Sequence, residues 1–129
     1  MTTPNFELND GNLLPQVGLG TYQIRGGAGL HQILSAIHDG YRSLDSATNY
    51  DNEGIVGKAV RLSGVPRSEF FITSKLPGKY HKYDDALNAI EESLARMGLD
   101  YFDLFLIHWP LPKRDHYVRP LYPSDSCDA

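Results

Sequence analysis

Three strand-like apolar runs in this chain each lead directly to a polar residue that acid–base chemistry uses. Asp45, Lys75 and His108 come after the runs 41–44, 70–74 and 104–107. Lys75 lies 30 residues after Asp45, and His108 lies 33 residues after Lys75. A strand, a crossover helix and the return to the next strand require about 30 residues. The spacing therefore predicts successive parallel βα units that bring the three side chains to one rim of a sheet, where polar strand ends are typical of catalysis.

The segments between these runs complete an alternation of strands and helices. Residues 5–8 and 12–14 flank an Asp-Gly pair, which predicts an N-terminal β-hairpin. Residues 16–20 predict a first parallel strand. Apolar residues at helical spacing predict three helices: one through 30–40, one starting at Asn52-Glu53, and one starting near Tyr83 and ending at Gly98. Continuous apolar strands alternating with helices indicate a parallel sheet of the α/β class.

Composition narrows the class of protein further. Hydrophobic residues make up 41% and charged residues 22% of the 129 residues, which is typical of a globular protein. The net charge is −4 and no basic stripe is present, so we expect no nucleic-acid partner. No signal peptide and no apolar run of about 20 residues is found, which predicts a cytoplasmic protein without a membrane partner. Cys127 is the only cysteine, so neither an intramolecular disulfide nor a cysteine-based zinc site is expected, and we predict no metal site.

Each candidate residue also has an ordinary structural interpretation. Asp45 begins a polar segment whose side chains bond their own backbone, and a lone lysine such as Lys75 is most often a solvated surface charge. His108 beside a core strand is more often a hydrogen-bonded structural residue than a catalyst. Tyr50 is one of eight tyrosines. Only their joint placement at three strand ends and in one adjoining loop favours a site.

Together, the four groups suit the reduction of a carbonyl. A phenol has a reference pKa of about 10, and a neighbouring ammonium favours its phenolate form. We therefore interpret Asp45, Lys75 and Tyr50 as a relay in which the carboxylate orients the ammonium and the ammonium assists the phenol. His108 would orient the substrate oxygen while Tyr50 donates a proton to it. The reaction also needs a source of hydride.

Four segments of the chain resemble motifs of the aldo-keto reductases. Residues 40–57 are similar to the family's signature segment, including its Gly, Arg, Asp, Tyr, Glu and Gly positions. Residues 18–23, 72–76 and 103–110 resemble its first-strand, third-strand lysine and fourth-strand histidine motifs. The resemblance covers about residues 5–118. It implies the N-terminal half of a (β/α)₈ barrel, that is, a hairpin and about four βα units, in an enzyme that reduces aldehydes and ketones with NADPH or, in some members, NADH.

The resemblance also implies roles for individual residues. Tyr50 would be the proton donor, Lys75 and Asp45 would tune it, and His108 would orient the carbonyl. The cofactor-binding residues would be Gly20, Thr21, Tyr22 and Asp45, near the nicotinamide. The substrate-binding residues would be His108, Trp109 and Tyr22. The general style of the segment resembles bacterial members that reduce sugar-derived diketones.

We identify no further family motif after residue 118. We predict a partial oxidoreductase domain at 1–118 and a disordered, non-family tail at 119–129, which is proline-rich at its start and lacks periodicity. A truncated or frame-shifted product would explain this switch. A half-barrel would have open edges at its first and fourth strands and uncovered apolar inner faces, so we expect self-association. Two functions therefore stay open: an NAD(P)H-dependent carbonyl reductase, or a catalytically silent half-barrel that is inactive alone or needs a partner chain.

Overall fold

The computed structural model describes residues 4–111 and residue 113. The chain opens with an antiparallel hairpin of β1 (Asn5–Glu7) and β2 (Leu13–Pro15), in which Phe6 faces Leu14. Gly11 in the turn has φ of 84°, a left-handed conformation that glycine adopts without steric cost. The predicted hairpin is therefore confirmed.

Four strands then form one parallel sheet. They are β3 (Gly18–Gly20), β4 (Ser43–Asp45), β5 (Phe71–Leu76) and β6 (Leu104–Ile107). Their order in the sheet is the order in the chain, and every neighbouring pair is parallel. The predicted α/β class is confirmed, with one adjustment: Lys75 lies inside β5, since that strand continues to Leu76.

Three helices connect the strands: α1 (Gly26–His38), α2 (Glu53–Leu62) and α3 (Tyr83–Met97). The starts predicted for α2 and α3 are confirmed, and α3 ends where Gly98 turns left-handed with φ of 65°. Helix α1 begins four residues before Leu30, the first apolar residue of its predicted pattern. Three short 3₁₀ turns were not predicted, at Thr48–Tyr50, Arg67–Glu69 and Gly78–Tyr80.

The main core lies between one face of the sheet and the helices. Leu44 of β4 and Ile72 of β5 are fully buried there against Ile33, Val56 and Met97 from the three helices. Because side chains alternate along a strand, the residues flanking Leu44 and Ile72 face the other side, which would line the inside of a barrel. On β4 and β5 this inner face includes polar residues, namely Ser43, Asp45, Thr73 and Lys75.

The outer strands of the described sheet are β3 and β6, as expected for a half-barrel. The prediction of uncovered apolar side chains on both inner faces is confirmed at β6, where Leu106 is 39% exposed. It is wrong for β3, because Leu19 packs against the core and the inner positions are Gly18 and Gly20. None of the helices in the described part of the chain is long and apolar enough to cross a membrane.

Candidate active site

The strand register aligns the polar strand ends at one rim of the sheet. Gly20 is the strand partner of Asp45, and Asp45 is the partner of Thr73. Lys75, two residues beyond Thr73, pairs with Leu106. His108 follows β6 directly, and its N–H donates to the carbonyl of Leu76 at 3.1 Å. All of these residues therefore lie at the carboxyl end of the parallel strands.

Lys75 is held by two oxygen atoms at this rim. Its Nζ forms an ion pair with Oδ1 of Asp45 and donates to the carbonyl oxygen of Ser46 at 2.9 Å. The Lys75 side chain is only 13% exposed, whereas that of Asp45 is 48% exposed. A largely buried ammonium needs such partners to stay charged. The pair fixes a positive charge at the rim while part of the Asp45 carboxylate faces outward.

Tyr50 lies beside this charge. It ends the 3₁₀ turn Thr48–Tyr50, and the next residue has a left-handed conformation with φ of 55°. Nζ of Lys75 is 5.0 Å from the centroid of the Tyr50 ring. The same ring makes edge contacts with His108, at 5.6 Å between centroids, and with Tyr22, at 5.2 Å. The structure thus brings Asp45, Lys75, Tyr50 and His108 into one cluster.

The surroundings of His108 favour the neutral form of its ring. Burial lowers the pKa of His108 below 6.5, the Lys75 ammonium lowers this pKa further, and the Asp45 carboxylate opposes the shift. Nδ1 of His108 is buried and has no hydrogen-bond partner among the described residues. A neutral imidazole carries one N–H donor, so the ring is suited to donate a hydrogen bond without bringing a second positive charge to the rim.

The other predicted site residues differ in how far they are exposed. Tyr22 and Trp109 are 65% and 66% exposed, and the Trp109 ring stacks on His108 with 6.0 Å between centroids. No atom lies within 4 Å of the position that a side chain at Gly20 would occupy, so the space beside it is open. Thr21 differs because its side chain is fully buried. Its hydroxyl and its N–H both donate to the Asp45 carbonyl at 2.9 Å, so Thr21 faces the protein.

Sequence reasoning missed the polar contacts behind the rim. Asn52 was interpreted only as a helix start, yet its side chain does not cap α2 and instead bonds the carbonyls of Thr21 and Ile24. Glu53 is 2% exposed and accepts hydrogen bonds from three residues distant in sequence, Ser74, Ser93 and Arg96. A buried acid requires such partners. The Asn-Glu pair inside segment 40–57 was the available signal, but nothing local identified the partners.

Two other features of the described residues bear on the kind of site. No group of three or more His, Cys, Asp or Glu residues within 4–111 and 113 could hold a metal ion. A groove of about 700 Å³ lies at the amino end of the sheet, lined by residues that include Leu13, Arg42 and Phe71. Active sites of parallel α/β barrels open at the carboxyl end of the strands, so this groove is on the opposite side from the cluster.

The geometry of the site agrees with the protein family that the sequence matches. The family model described as "Aldo/keto reductase family" matches residues 16–126, so the match continues past residue 118, where the motifs identified in the sequence end. The chain therefore belongs to the aldo/keto reductase family, whose members are carbonyl-reducing oxidoreductases built on (β/α)₈ barrels.

Individual relatives match most of this chain but less than half of their own length. 2,5-Diketo-D-gluconic acid reductase B of Corynebacterium sp. is 50% identical over 109 residues, which is 84% of this chain and 39% of the relative. Glycerol 2-dehydrogenase (NADP⁺) of Saccharomyces cerevisiae is 43% identical over 118 residues, 92% of this chain and 37% of the relative. The crystal structure of an aldo/keto reductase from Brucella melitensis superposes with a TM-score of 0.88 at 42% identity, covering 93% of this chain and 47% of that one.

Proposed function

We propose that this chain carries the proton-donating half of a carbonyl reductase site. The reaction is the reduction of an aldehyde or ketone to an alcohol: a hydride adds to the carbonyl carbon and a proton adds to the oxygen. The observation that carries the proposal is the cluster of a phenol, an ammonium, a carboxylate and a neutral imidazole at one sheet rim. These groups are matched to the negative charge that develops on a carbonyl oxygen as hydride arrives.

Each residue has a proposed role. Tyr50 donates the proton, because its ring lies close to both the Lys75 ammonium and His108. Lys75 places its positive charge beside the Tyr50 ring, where negative charge remains after transfer, and Asp45 holds the ammonium in place. His108 donates a hydrogen bond to the substrate oxygen through its neutral ring, which directs that oxygen towards Tyr50. No metal is part of this proposal.

We propose NADPH as the cofactor, with NADH as the alternative. The family supports a nicotinamide cofactor, and the name of the yeast relative specifies NADP⁺. Bound NADPH would supply the hydride. The open space beside Gly20, the exposed Tyr22 ring and the outward part of the Asp45 carboxylate suit the nicotinamide end of such a molecule. Thr21 contributes by fixing the Asp45 backbone, since its own side chain is buried.

The proposed substrate is a small carbonyl compound. Tyr22, next to Tyr50, and Trp109, next to His108, both expose aromatic surface, so these two rings and His108 would contact the substrate. The name of the Corynebacterium relative makes sugar-derived diketones the first class to test. We propose the cytoplasm as the place of this reaction, since NADPH-dependent reduction of small metabolites takes place there.

A second proposal concerns this polypeptide by itself. The described sheet has four strands, whereas a complete barrel has eight, so the site is walled on one side only. We propose that the 129-residue chain alone is catalytically silent, as a half-barrel that is inactive by itself or needs a partner chain. The share of the relatives that it spans, 39% for the Corynebacterium reductase, supports this second proposal.

One titration separates the two proposals. Trp109 is the only tryptophan of the chain, so its fluorescence reports on ligands near His108. NADPH is titrated while this fluorescence is followed, and NADPH oxidation is then measured with a reactive aldehyde. Turnover that disappears in Tyr50→Phe supports the reductase. Quenching without turnover, or no response at all, supports the silent half-barrel and contradicts reduction by this chain alone.

A further inference from the structure

The side chain of Asn52 connects the two loops that carry the candidate site. It is 4% exposed, and its Nδ2 donates to the carbonyl of Thr21 at 2.6 Å and to that of Ile24 at 3.0 Å. Its Oδ1 accepts from the hydroxyl of Ser46 at 2.8 Å. Because carbonyl oxygens only accept hydrogen bonds, these partners fix which end of the amide faces which loop.

The hydrogen bond between Ser46 and Asn52 closes the loop on which Tyr50 lies. Both ends of this loop are buried: Ser46 is 0% exposed, and its N–H donates to the carbonyl of Thr73 in β5 at 2.9 Å. Between the ends lies the 3₁₀ turn that ends at Tyr50. The next residue, Asp51, has a left-handed backbone conformation. Without closure, such a loop samples many conformations, because each unfixed residue retains its backbone entropy.

Ser46 also belongs to the charge cluster. Its carbonyl accepts the Lys75 ammonium at 2.9 Å, so one residue touches both Asn52, through its hydroxyl, and Lys75, through its backbone. Displacement of Ser46 would therefore change the ammonium and the phenol together. The three side-chain hydrogen bonds of Asn52 go to Thr21, Ile24 and Ser46, so none of them involves Lys75 or Tyr50 directly.

We infer that Asn52 is a positioning residue that places the Tyr50 ring against Lys75 and His108 by closing the 46–52 loop. This inference rests on the proposed function for its catalytic meaning. The placement itself is a property of the folded chain, and it is measured without cofactor or turnover.

The test compares three variants by NMR of the full chain labelled with ¹³C in the tyrosine rings. The Tyr50 signal is assigned by its absence from Tyr50→Phe. It is shifted by the neighbouring rings of Tyr22 and His108, at 5.2 and 5.6 Å. Asn52→Ala removes all three side-chain hydrogen bonds, and Ser46→Ala removes only the loop closure. The expected result in both is movement of the Tyr50 signal towards that of a solvent-exposed tyrosine.

Ser93→Ala is the matched control. Ser93 is also 0% exposed and also donates one hydroxyl hydrogen bond to a buried side-chain oxygen, that of Glu53, on the helix side of the sheet. We expect it to lower the thermal midpoint as Ser46→Ala does while leaving the Tyr50 signal in place. An unmoved Tyr50 signal in Ser46→Ala, or an equal movement in Ser93→Ala, would overturn the inference. Loss of folding in Ser46→Ala alone would do the same, since the assigned role is local. A shifted signal in a chain without turnover contradicts only reduction by this chain alone and leaves the role of Asn52 in placing Tyr50 unchanged.

Discussion

At the scale of single residues, one positive charge organises the candidate site. The Lys75 ammonium is bound by the Asp45 carboxylate and by the Ser46 carbonyl, and it lies 5.0 Å from the Tyr50 ring centroid. The same charge opposes protonation of His108. A lysine here therefore lies beside both a phenol and an imidazole, and it favours the neutral form of the imidazole.

The lowered pKa of His108 predicts a pH dependence of folding stability. Below pH 6.5 the unfolded chain binds a proton at His108 that the folded chain binds only at lower pH. Because the unfolded state then holds more protons, stability falls as the pH is lowered through this window and is fully regained above it. In urea unfolding between about pH 7.5 and 5.5, wild type should lose more stability than His108→Gln.

An NMR titration of the His108 ring provides an independent check. Its midpoint should fall below 6.5, and Lys75→Met should move it upward because the like charge is removed. Equal pH dependence of wild type and His108→Gln, together with an ordinary midpoint, would show that in solution His108 is neither buried nor close to Lys75.

Some residues of the site were easier to predict from the sequence than others. Asp45, Lys75 and His108 were predicted from strand ends, because the carboxyl ends of parallel strands necessarily share a rim. Tyr50 lies on a turn, where no periodicity fixes direction, so only the constellation and the family resemblance pointed to it. Asn52 was missed because an asparagine before a helix is ordinarily a cap, and its actual partner Thr21 lies 31 residues earlier.

At the scale of elements, α2 and α3 approach unusually closely. Gly57 of α2 lies against the Met97 carbonyl at the end of α3, and a Cβ atom built at this position would overlap the carbonyl group. Glycine is a poor helix residue, so its presence here is explained by the packing distance. The Glu53–Arg96 ion pair, at 2.9 Å, joins the same two helices.

Gly57→Ala should therefore destabilise the fold although alanine favours helices. Overpacking costs about 1–3 kcal/mol, which exceeds the gain of up to about 1 kcal/mol from helix propensity. Gly54→Ala in the same helix is the control, since its Cβ would meet only the Arg96 carbonyl at 3.8 Å. Urea denaturation should show a lower midpoint for Gly57→Ala and an equal or higher one for Gly54→Ala. Two changes of the same sign would contradict close packing at Gly57.

Helices were easier to predict than turns. The pattern of α3 contains both its apolar face and its Gly98 stop, and its start at Tyr83 was predicted correctly. Helix α1 starts in the glycine-rich stretch Gly26-Gly27-Ala28-Gly29, where side chains give no periodic signal. A Cβ at Gly29 would meet the Ile24 side chain at 2.9 Å, so a larger residue there would require Ile24 to move. The first residue of α1 therefore lies before the first residue of its apolar pattern, and we attribute this earlier start to tertiary packing.

At the scale of the whole molecule, the described sheet is covered on one face only. Helices pack against the face that contains Leu44 and Ile72, while the inner face bears Lys75 and Thr73 near the centre and Leu106 at the outermost strand, β6. An edge strand presents unpaired backbone groups, and an exposed leucine beside them adds apolar surface. The open edge was predicted from the sequence. It was not predicted that the two glycines of β3, and not its leucine, would occupy the inner positions of that strand.

We expect copies of the chain to associate through β6, and Leu106→Thr should weaken this association. Threonine keeps the strand preference and removes apolar surface, whereas lysine would place a like charge beside Lys75, the strand partner of Leu106. A loss of about 1.4 kcal/mol raises the dissociation constant about tenfold. Leu13→Thr is the control, because Leu13 is 56% exposed on β2, outside the parallel sheet. Sedimentation velocity over a range of concentrations measures both, and equal effects of the two substitutions would show that association does not use the β6 edge.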